Sequence, residues 1–296
     1  MIEVYTYDLP HRSGLILRRD ETDTYSEIAP LPGFSHETFE QALTALFDRN
    51  FDLYPSVSFG IDMLYVDIEP VEVPYAMLLQ GTPQQMIDKA LAGIRSGVQT
   101  FKVKMKHITL AEALMFLPIL LKLDIALRLD FNQAWTIEDS LELAHAFEPE
   151  SFAYFEEPTP DLLTFCQHTT QPVALDESLS ISESDWNLPN VSTYVIKPPL
   201  FGSVGDCLEL AQQASRQGKE VVLSSSYESG VGLINLIKLS QLLPNTPALG
   251  IDTYQTPDTL MTPLSYQNGT CSVIDRAINP KTLERLGVVS FDALIQ

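Results

Sequence analysis

Phe101-Lys102-Val103-Lys104 is the first of five short apolar segments that each end on a charged residue. The others are Leu127-Arg128-Leu129-Asp130, Tyr154-Phe155-Glu156-Glu157-Pro158, Val173-Ala174-Leu175-Asp176-Glu177 and Tyr194-Val195-Ile196-Lys197-Pro198. The terminal charges are 26 residues apart from 104 to 130 and again from 130 to 156, then 20 apart from 156 to 176 and 21 from 176 to 197. Each interval is about one strand plus one helix, so the segments read as parallel strands joined by crossover helices. That rhythm predicts a (β/α) barrel. Its strands all deliver their C-terminal residues to one rim, which would bring three carboxylates together between opposed lysines.

Outward from this series the texture changes. The N-terminal Met1-Ile2-Glu3-Val4-Tyr5 alternates like a first strand, and Leu15-Ile16-Leu17-Arg18 and Thr24-Tyr25-Ser26-Glu27-Ile28 flank a charged turn, predicting a hairpin. Pro30-Leu31-Pro32-Gly33-Phe34-Ser35 breaks the pattern, and Ser35-His36-Glu37-Thr38 leads into an amphipathic run over 39–46 in the manner of a helix start. More helix is expected near 58–64 and over 83–96, so residues 1–95 read as an α+β domain. Over 96–264, helical segments at 110–121, 137–147, 207–217 and 232–243 fill intervals between strands. With Val221-Val222-Leu223-Ser224 and Ala248-Leu249-Gly250-Ile251-Asp252, seven strands follow residue 101, with room for one more. The tail over 265–296 alternates again and is expected to rejoin the N-terminal domain.

The chain has 296 residues, 45% of them hydrophobic, enough for a barrel plus a smaller domain. A formal charge of −21 argues against nucleic acid or an anionic membrane as partner. The oligomeric state is not legible, and a monomer is compatible with the sequence. Cys166, Cys207 and Cys271 are odd in number and widely spaced, which suggests neither a disulfide framework nor a thiolate metal site and fits a reducing cytoplasm. The N-terminus lacks the pattern of a signal peptide, and the apolar stretch over 115–121 is too short to span a bilayer and contains Pro118. Histidines at 11, 36, 107, 145 and 168 are scattered without an HExxH pattern, so zinc is not expected.

Lys102 and Lys104, two apart on a strand, share a face. Alone, such a pair reads as a solvated lysine face; in a barrel, inward lysines must be neutralised or catalytic. Neighbouring cations would lower a lysine's pKa towards that of a useful base. Asp130, Glu156 and Asp176 taken singly would read as helix caps. Together on the βα pitch they form the all-oxygen set preferred by a hard divalent cation, Mg²⁺ foremost and Mn²⁺ as a substitute. Lys197 alone reads equally well as a barrel-mouth lysine paired with a carboxylate. Opposed lysines with a metal between them can reach both faces of a carbon beside a metal-bound carboxylate, the arrangement needed to abstract a proton and stabilise an enediolate.

Taken together, the KxK of Lys102/Lys104, the DxN of Asp130/Asn132, the EEP from Glu156, the DES from Asp176 and the IKP ending at Pro198 resemble the enolase superfamily, in its muconate-lactonising branch. Supporting stretches run over 26–35, 127–136 and 224–229, and the similarity extends over nearly the whole chain. The resemblance implies an α/β fold, a (β/α)7β TIM-like barrel under an N-terminal α+β capping domain, with Asp130, Glu156 and Asp176 holding Mg²⁺. Lys104 would remove an α-proton and then assist departure of a hydroxyl from the same face, a syn dehydration. Lys197 would stabilise the enediolate from the opposite face as a cation. Lys102 would support the substrate carboxylate and depress the pKa of its neighbour, while Asn132 and Glu177 would be partners of the metal and lysine. Ser224 and Gly250 match positions that meet a succinyl arm, and cap segments 11–20 and 30–35 would close over the substrate. Pro198-Pro199 departs from the pattern, which has threonine or a similar residue in the second place. The implied reaction turns 2-succinyl-6-hydroxy-2,4-cyclohexadiene-1-carboxylate into 2-succinylbenzoate, in menaquinone biosynthesis. The same metal site would serve an N-acylamino acid racemase or dipeptide epimerase. A non-catalytic binding barrel is a third reading, opposed by the cost of burying lysines without purpose.

Overall fold

The computed structural model describes residues 1–10, 12–180, 187–245, 247–253, 264–274 and 283–290. Three N-terminal strands, β1 (Ile2–Leu9), β2 (Arg12–Arg19) and β3 (Thr24–Ile28), form an antiparallel meander. Ile2, Val4, Leu15, Leu17 and Ile28 are buried in one cluster with residues of α1 (Phe39–Phe47) and α2 (Pro55–Met63). The helix expected over 39–46 starts at a capping box: Thr38 Oγ1 accepts from Gln41 N–H, and Gln41 Oε1 accepts from Thr38 N–H. Residues Arg12 to Arg19 of the segment 11–20, expected as a loop closing over the substrate, are instead strand β2, paired with β1 from Ile2↔Arg19 to Leu9↔Arg12 and with β3, as the hairpin reading of Leu15-Ile16-Leu17-Arg18 expects. His11, which belonged to that expectation, lies outside the described residues.

The α2 helix joins the two parts of the molecule. Ser26 Oγ of β3 donates to Gly60 O at 2.5 Å, and a Cβ on Gly60 would lie 2.5 Å from Ile28 Cγ1 and 2.8 Å from Glu27 O. On its other side α2 packs against the turn after the barrel's sixth strand, and Asp62 Oδ2 accepts from Val204 N–H at 2.9 Å.

After β4 (Val73–Pro74) the chain alternates strand and helix. The elements are β5 (Ala76–Leu79), α3 (Pro83–Arg95), β6 (Thr100–Lys104), α4 (Leu110–Leu121), β7 (Ala126–Asp130), α5 (Ile137–His145), β8 (Tyr154–Glu156), α6 (Leu162–His168) and β9 (Val173–Leu175). Then come β10 (Val191–Ile196), α7 (Pro198–Phe201), α8 (Val204–Arg216), β11 (Glu220–Leu223) and α9 (Gly230–Ser240). Strands β5 to β11 lie side by side in sequence order, all parallel. The eighth place is taken by Leu249 and Gly250, which bridge to Tyr75 on one side and Ser224 on the other. Hydrogen bonds from Ala76 N to Leu249 O (2.8 Å) and from Gly250 N to Leu223 O (2.9 Å) close the sheet into a barrel. Strand β5 starts this sheet well before residue 96, where the sequence placed its beginning. The segment ends on neutral Gln80 and so lacks the charged terminus that marks the later strands.

Side chains from β6, β7 and β8 alternate between two environments. Phe101, Val103, Leu127, Leu129 and Phe155 are buried under the outer helices, whereas Tyr154, Ala174, Val195 and Val222 form a separate buried cluster inside the barrel. Towards the C-terminus, β12 (Leu264–Gln267) and β13 (Thr270–Val273) form a hairpin on β4, and β14 (Glu284–Val289) pairs antiparallel with β1. The rest of the expected tail, including 275–282 and 291–296, lies outside the described residues. Among the described residues no helix is long and apolar enough to cross a membrane.

Because α2 touches β3 through backbone at Gly60, Gly60→Ala should destabilise the protein by about 1–3 kcal/mol. Urea unfolding measures this, and a change below about 0.5 kcal/mol would show that α2 is free to shift.

Candidate active site

Parallel register places Lys104, Asp130 and Glu156 in one row across β6, β7 and β8, with Lys102, Arg128 and Tyr154 in the row beneath. Residues two apart on a strand share a face, so both rows point into the barrel. Asp176 and Lys197 immediately follow β9 and β10. Lys102 Nζ lies 2.7 Å from Glu156 Oε1 and 2.9 Å from Asp130 Oδ2. Lys104 Nζ donates to Asp130 Oδ2 at 2.6 Å and to Asn132 Oδ1 at 3.0 Å, and Lys197 Nζ donates to Asp176 Oδ2. Asn132 Nδ2 in turn donates to Glu177 Oε1 at 3.0 Å. The expected lysines, carboxylates, Asn132 and Glu177 are thus joined by short contacts into two groups, Lys102/Lys104 on one side and Lys197 on the other. Ser224 and Gly250 pair with each other on the remaining arc, and a Cβ on Gly250 would lie 2.6 Å from Ser224 Oγ.

Burial dominates the electrostatics. Glu156 is wholly buried, and desolvation, reinforced by the charges of Asp130 and Asp176, pushes its pKa up to about 8. Asp130 is buried as well, but Lys102 and Lys104 outweigh desolvation and hold it down at about 2. Burial also works against the charge on Lys102, yet Asp130, Glu156 and Asp176 raise its pKa well above the ordinary lysine range. Lys197 is raised in the same way by Asp176. The expectation that crowded cations lower a lysine's pKa, made for the Lys102/Lys104 pair, therefore does not describe Lys102, which is matched by carboxylates.

Glu156 Oε2 is buried with no hydrogen-bond partner, as is Glu177 Oε2. Among the described residues no three acidic, histidine or cysteine side chains stand in ligand geometry; the carboxylates are turned onto the lysines. The donor chemistry nevertheless fits a hard cation: all-oxygen ligands, close enough to repel one another, with one buried oxygen unsatisfied.

Several contributors escape the sequence pattern. Arg128 shares the inward face of β7 with Asp130, donates to Ala248 O at 2.7 Å and stacks over Tyr154 with its guanidinium carbon 5.5 Å from the ring centre. Its two-residue spacing from Asp130 was the available signal. Glu157 is fully buried beside Glu156, and desolvation raises its pKa. Its carboxylate accepts from the N–H groups of Asp176 and Ser178, both at 2.8 Å, from Ser178 Oγ, and from Gln133 Nε2 at 2.7 Å. Asn132, Gln133 and Glu157 all have left-handed backbones, with φ of 48°, 56° and 45°. Such strain is held in place only by surrounding bonds, and here it lies beside the charged row. A cavity of about 260 Å³ opens next to Asp176 and Lys197, walled by Leu200 and Phe201 of the barrel and by Gly33, Phe34 and His36 of the N-terminal part.

Two family models match the chain: "MenC, N-terminal domain" over residues 1–68 and "Enolase C-terminal domain-like" over residues 85–277. The o-succinylbenzoate synthase of Yersinia enterocolitica is 33% identical, across 84% of this chain and 89% of that protein. Among solved structures, the o-succinylbenzoate synthase of Thermosynechococcus elongatus, complexed with magnesium in its active site, superposes with a TM-score of 0.70 at 25% identity, covering 86% of this chain and 91% of that one. The L-Ala-D/L-Glu epimerase of Bacillus subtilis shares the fold, with a TM-score of 0.72 at 15% identity over 92% of this chain and 95% of its own. The chain belongs to the enolase superfamily and, within it, to the o-succinylbenzoate synthase family, and it is an enzyme.

Since Glu157 collects four bonds from two other rim segments, Glu157→Ala should cost about 2–4 kcal/mol of stability. Denaturant unfolding checks this; a loss below about 1 kcal/mol would show that the rim holds Asp176 without it.

Proposed function

We propose that the chain is a Mg²⁺-dependent dehydratase of menaquinone biosynthesis, converting 2-succinyl-6-hydroxy-2,4-cyclohexadiene-1-carboxylate to 2-succinylbenzoate. The observation that carries this reading is the separation of the lysines into Lys102/Lys104 on β6 and Lys197 after β10, with Asp130, Glu156 and Asp176 on the strands between. It is supported by the identity to the Yersinia protein and by the magnesium that the Thermosynechococcus structure carries. In this reading the catalytic barrel begins at β5, and the cap is the part before it together with β14.

Asp130, Glu156 and Asp176 would hold the ion, which supplies positive charge for the substrate's carboxylate as the adjacent carbon loses its proton. Lys104 in its neutral form takes that proton, breaking the C–H bond. The resulting ammonium then delivers it to the departing hydroxyl on the same face, so water leaves and the ring gains its third double bond. Lys197, on the other face, stays protonated throughout and stabilises the enediolate as a cation. Lys102 balances the carboxylates beneath the reacting carbon. Ser224 and Gly250 would receive the succinyl arm, with Phe34 and Phe201 at the cleft reducing access of water. Three buried free thiols, at Cys166, Cys207 and Cys271, suit a cytoplasmic location.

Purified protein with Mg²⁺ should consume the cyclohexadiene ultraviolet absorbance, and EDTA should abolish this reversibly. Lys104→Ala should lower kcat by about 10³-fold or more, whereas Lys197→Arg should retain part of the activity because the cation is kept. If folded, Mg²⁺-loaded protein leaves the diene untouched but racemises N-succinylamino acids or epimerises dipeptides, the site is a two-base one and the dehydratase reading fails.

A further inference from the structure

The turn between β11 and α9, which carries Ser224, is held by two buried carboxylates. One is local: Glu228 accepts from Ser225 Oγ (2.6 Å), Ser226 N (2.7 Å) and Ser226 Oγ (2.6 Å). The other comes from the cap. Glu27 of β3, 2% exposed, accepts from Ser229 N at 3.0 Å, from Gly232 N at 2.7 Å, and from the hydroxyls of Ser229 and Tyr7. Ser229 is the N-cap of α9, its Oγ accepting from Val231 N at 3.1 Å, so the cap's carboxylate sits on the first turn of a barrel helix, where backbone N–H groups and the helix dipole favour a negative charge. Gly232 makes the approach possible: a Cβ there would lie 2.6 Å from Glu27 Oε2 and 2.4 Å from Glu228 Cβ. Two neighbouring contacts run the same way. Arg12 of β2 donates to Ser226 O, and Asn235 Nδ2 of α9 donates to Tyr25 O at 3.2 Å.

The geometry points to Glu27 as a positioning residue: from the cap, it fixes the 224–232 segment of the barrel and so sets where Ser224 stands in the site. Its effect on turnover rests on the reading of Ser224 as a contact of the succinyl arm. Among the described residues Glu27 bonds to Tyr7, Ser229 and Gly232 and to none of the lysines or metal-ligand candidates, so it acts on substrate placement rather than on proton transfer.

The test compares wild type with Glu27→Gln, Ser229→Ala and the remote helix-cap variant Thr109→Ala, measuring dehydratase kinetics, binding of 2-succinylbenzoate and amide hydrogen exchange. Glu27→Gln, which turns an acceptor oxygen into a donor, should raise KM and the product Kd by about ten-fold with kcat changed by no more than about two-fold. Exchange over 224–232 should quicken. Ser229→Ala, which keeps the carboxylate, should raise KM by about three-fold and decides the matter if Glu27→Gln does not fold. Thr109→Ala should lower Tm and leave KM alone. Glu27→Gln, or Ser229→Ala in its place, with wild-type KM, Kd and exchange over 224–232 would overturn the inference. If wild type itself neither turns over the diene nor binds 2-succinylbenzoate, the dehydratase reading fails instead. Hydrogen exchange in the variants then still shows whether the cap holds this turn.

Discussion

Charge buried at the barrel mouth is the constraint on which the rest of the molecule depends. Three carboxylates and three lysines enter one low-dielectric space, and each would be prohibitive alone. The match is close but incomplete. Asp130 receives two ammonium groups, whereas Glu156 shares one and keeps an oxygen without a partner. A divalent cation would satisfy that oxygen, and the neighbouring carboxylates keep Lys102 and Lys197 charged. A site of this kind needs rigid walls, because a lysine that swings out leaves a carboxylate bare. The rim is accordingly bound sideways, Glu157 tying β8 to the turn after β9 and Gln133 joining β7 to both.

The cap extends this rigidity. Helix α2 is wedged between β3 and the barrel, and Glu27 reaches across to α9, so the N-terminal sheet is fastened to the barrel at two separate places. Among the described residues of the cap, Gly33, with φ of 83°, Phe34 and His36 line the cleft.

The barrel was legible because its successive strand ends carry charge. Lys104, Asp130, Glu156, Asp176 and Lys197 punctuate the sequence at the βα pitch, and helices such as α3 and α4 stand close to where amphipathic runs and capping residues placed them. Strand β5 escaped because it ends on Gln80 and contributes no charge to the rim. The eighth strand reduces to two bridging residues, whose role is visible only when both neighbours are in place. Segment 11–20 read as a closing loop from its resemblance, although the apolar run Leu15-Ile16-Leu17 within it was also legible as a hairpin strand. Arg128 and Glu157 were hidden for a different reason: their importance lies in which partners they meet, and those partners are distant in sequence.

The C-terminal strand β14 pairs with β1. Residues 284–289 therefore cover an edge of β1 that would otherwise be bare. An unpaired edge is the usual route to wrong association between chains. Charged side chains at Glu3, Arg18 and Arg285 cluster along this seam, with Glu3 held to Arg18 at 2.9 Å and to Arg285 at 3.1 Å. Glu3 therefore pairs across both edges of its strand, to β2 through Arg18 and to β14 through Arg285.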